Sequence, residues 1–189
     1  GSCYAVTGEN QYHAIFGGGP CFFVHPSDLA VALTALRARV SIAGPAGKRI
    51  VPIDNFFVGP KQAVTRETVL TRGEIVTEVT VPASGGATRS LFKKAAARGS
   101  WDFALVSAAL ALEAGDEGIR AARLVLGGVG PYPWRAGAAE KLLLGGRLDG
   151  AAATSAAEAA VAGATALRGN AYKPALVRGI VAEALEALI

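Results

Sequence analysis

From residue 87 onward the sequence runs through strand patterns first and helical patterns only afterwards. Arg89 to Ala95 reads as a strand. Phe103 to Glu113 carries enough Ala and Leu to suit a helix as well. It is followed by Gly115-Asp116-Glu117-Gly118, which reads as a hairpin tip, and by the partly alternating apolar stretch Ile119 to Leu126. That arrangement decides for an antiparallel pair. Gly127-Gly128-Val129-Gly130-Pro131 is a hard stop, and three helical patterns follow: Ala136 to Leu144, Ala152 to Arg168 and Lys173 to Ile189. A sheet followed by a layer of helices makes the fold class α+β. The alanine-rich tract Ala151 to Ala166 is patterned rather than linker-like, so it is expected to pack closely on a neighbour.

Pro82 and the small residues Ala83-Ser84-Gly85-Gly86-Ala87 mark a boundary, giving two units, 1–82 and 87–189. Apolar residues make up 51% of the 189, enough for a real core, but aromatics only 7%, so that core is mostly Ala, Val and Leu. In the first unit, Tyr12 to Phe16 and Phe22 to Val24 read as short apolar pieces, the former as a strand. Ser27 and Asp28 follow Pro26 at a helix start. Leu29, Ala32, Leu33 and Leu36 form its apolar face, with the helix running to about Ala38. Arg39 to Ala43 and Arg49 to Ile53 form a hairpin with a loop of more than two residues, and Glu74 to Val81 is the next strand.

The unusual chemistry lies in the first 28 residues. Both cysteines (Cys3, Cys21) and both histidines (His13, His25) are there, with Gly17-Gly18-Gly19-Pro20. Glycines of this kind permit close backbone approach to a ligand. Two thiolates alone fall short of the usual four for an iron–sulfur cluster, and the spacing to the histidines matches no zinc finger. Read by themselves, the cysteines are two free or buried thiols and Asp28 is a helix-capping residue. Phe92-Lys93-Lys94 is a strand with solvated lysines, and Trp101-Asp102 a core aromatic beside a turn carboxylate. No catalytic triad, Walker loop or complete GxGxxG fingerprint is present. The net charge of +4 comes from scattered Lys and Arg without a basic stripe, which argues against nucleic acid as a partner. No apolar run approaches the ~20 residues of a membrane span. The lack of methionine, and a start inside the richest motif, lead us to read the chain as the C-terminal portion of a longer polypeptide.

The run CYAVTGENQYHAIFGGGPC continuing into HPSDLAVALTAL, then RETVLTRGEIVTEVTVP, LFKKAAARGSWDFALVSAALAL with LVLGGVGPYPWRA, and NAYKPALVRGIVAEAL resembles the flavin (medium) subunit of the molybdenum hydroxylases. The resembling branch is that of aldehyde oxidoreductase, xanthine dehydrogenase and carbon monoxide dehydrogenase. The resemblance implies the C-terminal part of an FAD-binding α/β domain, followed by a small antiparallel sheet packed with a helical layer. It implies FAD as cofactor, contacted by Asp28, by the backbone at Val76 and by Lys93 at the flavin edge. Cys3 and Cys21 match the last two of four cysteines that, in some branches, hold a [4Fe–4S] cluster. The partners implied are a molybdopterin-binding large subunit, a [2Fe–2S] small subunit and the N-terminal half of the FAD domain. Electrons from aldehyde or N-heterocycle oxidation would reach FAD through the [2Fe–2S] clusters and leave to an external acceptor. No residue of this chain is expected to be catalytic. The alternative is a cofactor-free subunit-docking module of the same complex. The compartment stays open, cytoplasmic or, if exported with a partner, periplasmic.

Overall fold

The computed structural model describes residues 3–189. It contains two antiparallel sheets with one helix, α1 (Asp28–Ala35), between them. The first sheet comprises β1 (Arg39–Gly44), β2 (Gly47–Pro52) and β3 (Ile75–Thr80) in the order β2-β1-β3. The second comprises β4 (Thr88–Ala95), β5 (Val106–Gly115), β6 (Gly118–Gly127) and the two-residue β7 (Trp134–Arg135), in sequential order. Helices α2 (Gly137–Leu143), α3 (Gly150–Ala159) and α4 (Lys173–Glu186) cover one face of the second sheet.

Strand alternation explains why β5 reads ambiguously in sequence. Ala108, Leu110 and Leu112 of β5, with Leu124 and Leu126 of β6, pack into the helical layer against Val177, Val181 and Leu185. The intervening Ala109 and Val125 pair across the strands and meet Val31 and Ala35 of α1 on the other face. A strand buried on both faces is apolar throughout and loses its period-2 signal. The alanines of α3 do what a patterned small-residue tract allows: Ala153, Ala156, Ala157 and Ala160 are buried in this core. The helix there is shorter than expected, ending at Ala159 rather than Arg168; the chain turns and re-enters as a 3-10 turn at Arg168–Asn170.

Helix α1 is also used on two sides. Val31 and Ala35 meet the second sheet, while Leu33 packs with Val40, Ile42 and Ile53 of the first. The face expected from sequence is therefore displaced, and Leu29 is 68% exposed. The helix stops at Ala35 because the chain reverses there. Arg37 takes φ 57, Arg37 N–H donates to Thr34 O (3.2 Å) and Ala38 N–H to Leu33 O (3.0 Å). These two hydrogen bonds close the last helical turn, but no glycine announces it.

Three further expectations are corrected. Gly44 pairs with Gly47, so the β1–β2 loop has two residues, Pro45 and Ala46, with Gly47 at φ 108. Tyr12 to Phe16 is not a strand. Its donors reach single carbonyls instead, Ile15 and Phe16 both to Val129 O at 2.9 and 3.0 Å. Ile15 and Phe16 thereby join the core of the second sheet. Residues 83–87, all exposed, connect β3 to β4.

Entry into β3 is anchored by Arg49 of β2, which donates to both oxygens of Glu74 at 2.9 Å and to Val69 O at 3.0 Å. Thr71 N–H adds a third bond to the Glu74 carboxylate at 2.8 Å. The Arg49 guanidinium, then the Thr71 amide, hold the Glu74 carboxyl at about 2. A carboxylate with a depressed folded-state pKa adds stability above its unfolded pKa, and that contribution disappears as pH falls through the folded one. Glu74 is therefore expected to stay ionised down to about pH 2 in an NMR titration. Arg49→Gln should bring its midpoint back toward the ordinary ~4.3 of a glutamate. An unchanged midpoint in that variant would show the pair does not set it.

Candidate functional site

A cleft of about 510 Å³ opens where the start of α1 faces the loop between β4 and β5. Tyr12, His25, Asp28, Arg98, Phe103 and Gly128 are among its walls. Ser27 caps α1, its Oγ accepting from Ala30 N–H at 3.1 Å. That leaves Asp28 in the first turn with its carboxylate uncommitted to the cap, in a position that favours negative charge. Asp28 Oδ2 accepts from Lys94 Nζ at 2.6 Å, and Lys94 also donates to Asp102 O at 2.6 Å. The Asp102 carboxylate in turn accepts from Arg98 N–H (3.1 Å) and Phe103 N–H (2.9 Å), which turns the loop back on itself. At the tip, Trp101 sits at φ 51 and is 95% exposed, with Phe103 also exposed. Trp101 is thus not a core aromatic: it and Phe103 stand on the loop that forms this side of the cleft.

The Tyr12 and Gly128 part of the wall is held from behind by the C-terminal helix. Lys173, 1% exposed, donates to Tyr12 O (2.9 Å), His13 O (3.0 Å) and Gly128 O (2.6 Å). Burial pushes its ammonium down to about 8, and three carbonyl oxygens face its three donors. Asn170 donates to His13 O (2.9 Å) and accepts from Leu167 N–H (2.6 Å), while Asn10 Oδ1 accepts from Gly169 N–H (2.6 Å). Residues 10–14 are therefore sewn to the start of α4. Gly128, at φ 71, closes the same wall: a Cβ there would lie 2.7 Å from Ala104 O and 2.8 Å from Leu105 O.

The two cysteines come together at the far end of this loop, both free and partly exposed. The Cys3 thiol is lowered by the Phe22 and Ala5 backbone amides and by a hydrogen bond with Cys21. Among the described residues no third His, Cys, Asp or Glu completes a metal-binding group, so His13 and His25 do not join the pair.

Of the three residues expected to contact FAD, Asp28, Val76 and Lys93, Asp28 alone lines the cleft. Val76 is on β3 in the other sheet, exposed. Lys93 is on the opposite face of β4 from Lys94 and forms an ion pair with Glu183 of α4. The FKK run presented two lysines, and period-2 alternation sends one to each face. Which one meets Asp28 depends on where α1 packs. Lys94, Trp101, Phe103 and Lys173 were not anticipated; for Lys94 the only signal was its place beside Lys93.

Residues 11–84 match the family described as the FAD binding domain in molybdopterin dehydrogenase, and residues 90–188 match the CO dehydrogenase flavoprotein C-terminal domain. This chain belongs to the flavoprotein, or medium-subunit, family of the molybdenum hydroxylases. Its relatives include an aldehyde oxidoreductase FAD-binding subunit of Escherichia coli (strain K12), 37% identical over 75% of this chain and 43% of that protein. The carbon monoxide dehydrogenase medium chain of Hydrogenophaga pseudoflava is 33% identical over 90% of this chain and 59% of its own length. A solved carbon monoxide dehydrogenase from the same organism superposes with a TM-score of 0.73 at 31% identity, covering 85% of this chain and 58% of that one. Quinoline 2-oxidoreductase from Pseudomonas putida 86 superposes at 0.71 and 26% identity over 93% of this chain and 57% of that one. The chain spans about half the length of the curated relatives it matches. Within the medium-subunit family, the two matched segments meet at residues 84–90, beside the exposed 83–87 connection.

Proposed function

We propose that this chain is part of the FAD-binding electron-transfer subunit of a molybdenum-dependent hydroxylase that oxidises aldehydes or N-heterocycles. Electrons would arrive from [2Fe–2S] clusters on a small subunit, after oxidation at a molybdopterin-binding large subunit, and leave from FAD to an external acceptor. The observation that carries the reading is the consecutive match to an FAD-binding domain and a flavoprotein C-terminal domain, with the Asp28–Lys94 cleft between α1 and the β4–β5 loop. Its apolar walls, a charged pair at the mouth and close-packed glycine backbone suit one end of a flavin nucleotide. FAD, when bound, supplies the electron-accepting chemistry.

The chain's own residues bind and orient. Asp28 is assigned to accept hydrogen bonds from ligand hydroxyls. Lys94, rather than Lys93, is assigned the positive charge beside it. Val76 lies on β3, an edge strand of the first sheet, where unpaired backbone groups are available on the outer side. Cys3 and Cys21 would supply two of the four thiolates of a [4Fe–4S] cluster, the other ligands coming from outside the described residues.

This chain alone should hold FAD weakly or not at all; supplied with the N-terminal half of the FAD domain and followed by flavin fluorescence, it should bind FAD saturably, and Asp28→Ala should weaken that binding about tenfold, as loss of a charge-assisted hydrogen bond does. Absence of saturable binding by the reunited halves at ~5 mM FAD, well beyond the weakest specific range, would defeat the reading and favour the cofactor-free docking module.

A further inference from the structure

We propose that a second cleft, between the Ile53–Gln62 segment and β7, binds a planar aromatic carboxylate. The cleft is about 470 Å³, and its lining includes Asp54, Lys61, Gln62, Tyr132, Trp134 and Arg135. This volume lies within the range of small-molecule sites, which favour junctions between structural units. It is separate from the Asp28 cleft: Phe57 lines the one and His25 the other, and the two rings meet edge to face at 4.8 Å.

The aromatic preference comes from a supported shelf. Trp134 stacks on buried Phe16 at 4.9 Å and 11°, and Tyr132 stacks with Trp134 at 5.8 Å and 28°. Two glycines let backbone approach these rings: a Cβ on Gly17 would lie 3.1 Å from the Trp134 ring, and one on Gly59 would lie 2.8 Å from the Tyr132 ring. The rings are held from behind and remain partly exposed. A shelf of this kind recognises another flat ring.

The anionic preference comes from the donors. Asp54 is already engaged by Arg123 at 2.5 Å, and Arg135 by buried Glu140. Gln62 Oε1 faces Gly59 N–H at 3.4 Å, which leaves its NH₂ free to donate. Among the described residues, Lys61 makes no ion pair, and neither Lys61 Nζ nor Trp134 Nε1 makes a hydrogen bond. Both groups can only donate. Lys61, Arg123 and Arg135 set three positive charges against the two of Asp54 and Glu140. The unmet demand of the cleft is thus for acceptor atoms carrying one negative charge beside a ring.

Isothermal titration of this chain with 2-naphthoate, and separately with the neutral 2-naphthalenemethanol, tests the assignment. The acid should bind about tenfold more tightly than the alcohol, the difference a charge-assisted contact makes. Lys61→Gln, a change at an exposed side chain, should abolish that preference while leaving FAD binding by the reunited halves unchanged. Saturating FAD should not displace the acid from the reunited halves. No saturable binding of the acid at ~5 mM, equal binding of acid and alcohol, a preference that survives Lys61→Gln, or displacement by FAD would each overturn the proposal.

Discussion

Lys173→Met is expected to cost about 3–5 kcal/mol of stability, the order reached when several partly buried carbonyls lose a charged donor at once. The substitution keeps most of the side chain's length and apolar stem, so packing in α4 is nearly preserved. What it removes is the donor to Tyr12 O, His13 O and Gly128 O, all within 3.0 Å of the ammonium. These carbonyls come from two segments far apart in the chain, residues 12–13 and Gly128, and the bond to Gly128 O is buried. For a chain of this size the loss corresponds to a fall in Tm of roughly 10 °C. Lys48→Met, at an exposed position of β2, is the control and should stay within about 0.5 kcal/mol. A Tm within ~2 °C of the parent for Lys173→Met, less than 1 kcal/mol, would show that residues 10–14 are held by something else. The effect should reach the Asp28 cleft, because Tyr12 and Gly128 are part of its wall.

Gly128→Ala should be of similar size, about 3–4 kcal/mol, from two independent sources. A left-handed backbone conformation costs a non-glycine residue about 1–2 kcal/mol, and Gly128 is at φ 71. The added Cβ would also meet backbone oxygens at 2.7 and 2.8 Å, which no rotamer change relieves. Relief requires moving Ala104 and Leu105, both in the cleft wall, so ligand binding there should weaken together with stability. Gly137→Ala is the matched control. Its Cβ would meet nothing within 4 Å and its φ is not positive, so it should be neutral or stabilising by roughly 0.5–1 kcal/mol. Urea midpoints of the two variants check the contrast; equal midpoints would remove the argument from Gly128.

Several elements were legible because local chemistry and packing agree. The Gly115–Gly118 tip has Gly115 paired with Gly118, as a tight hairpin requires. Ser27 before α1 marks a helix beginning that the structure keeps. Other readings failed where a remote partner outweighed a local pattern. Tyr12 to Phe16 looks like a strand by composition, but Val129, Asn170 and Lys173 take up its backbone groups one by one. Trp101 looks like core by residue type, yet the Asp102 turn and the Lys94 contact leave it exposed on the loop. The face of α1 was misread because a helix between two sheets is apolar on more than one side, so no single stripe stands out.

Sequence by itself determined the class of the fold, the order of its longer strands and helices from Asp28 onward, the place of the connection at 83–87 and the family of the chain. These depend on near-neighbour periodicity and on motifs read in order, and both survive without coordinates. Only the tertiary structure decided that Lys94 rather than Lys93 meets Asp28, that Lys173 joins the two ends of the chain, and that Tyr132 and Trp134 face Lys61 across a cleft. Each of those pairings spans tens of residues, and its geometry follows from which face of a sheet a helix covers. That choice is made by the packing of whole elements, and no local stretch of residues records it.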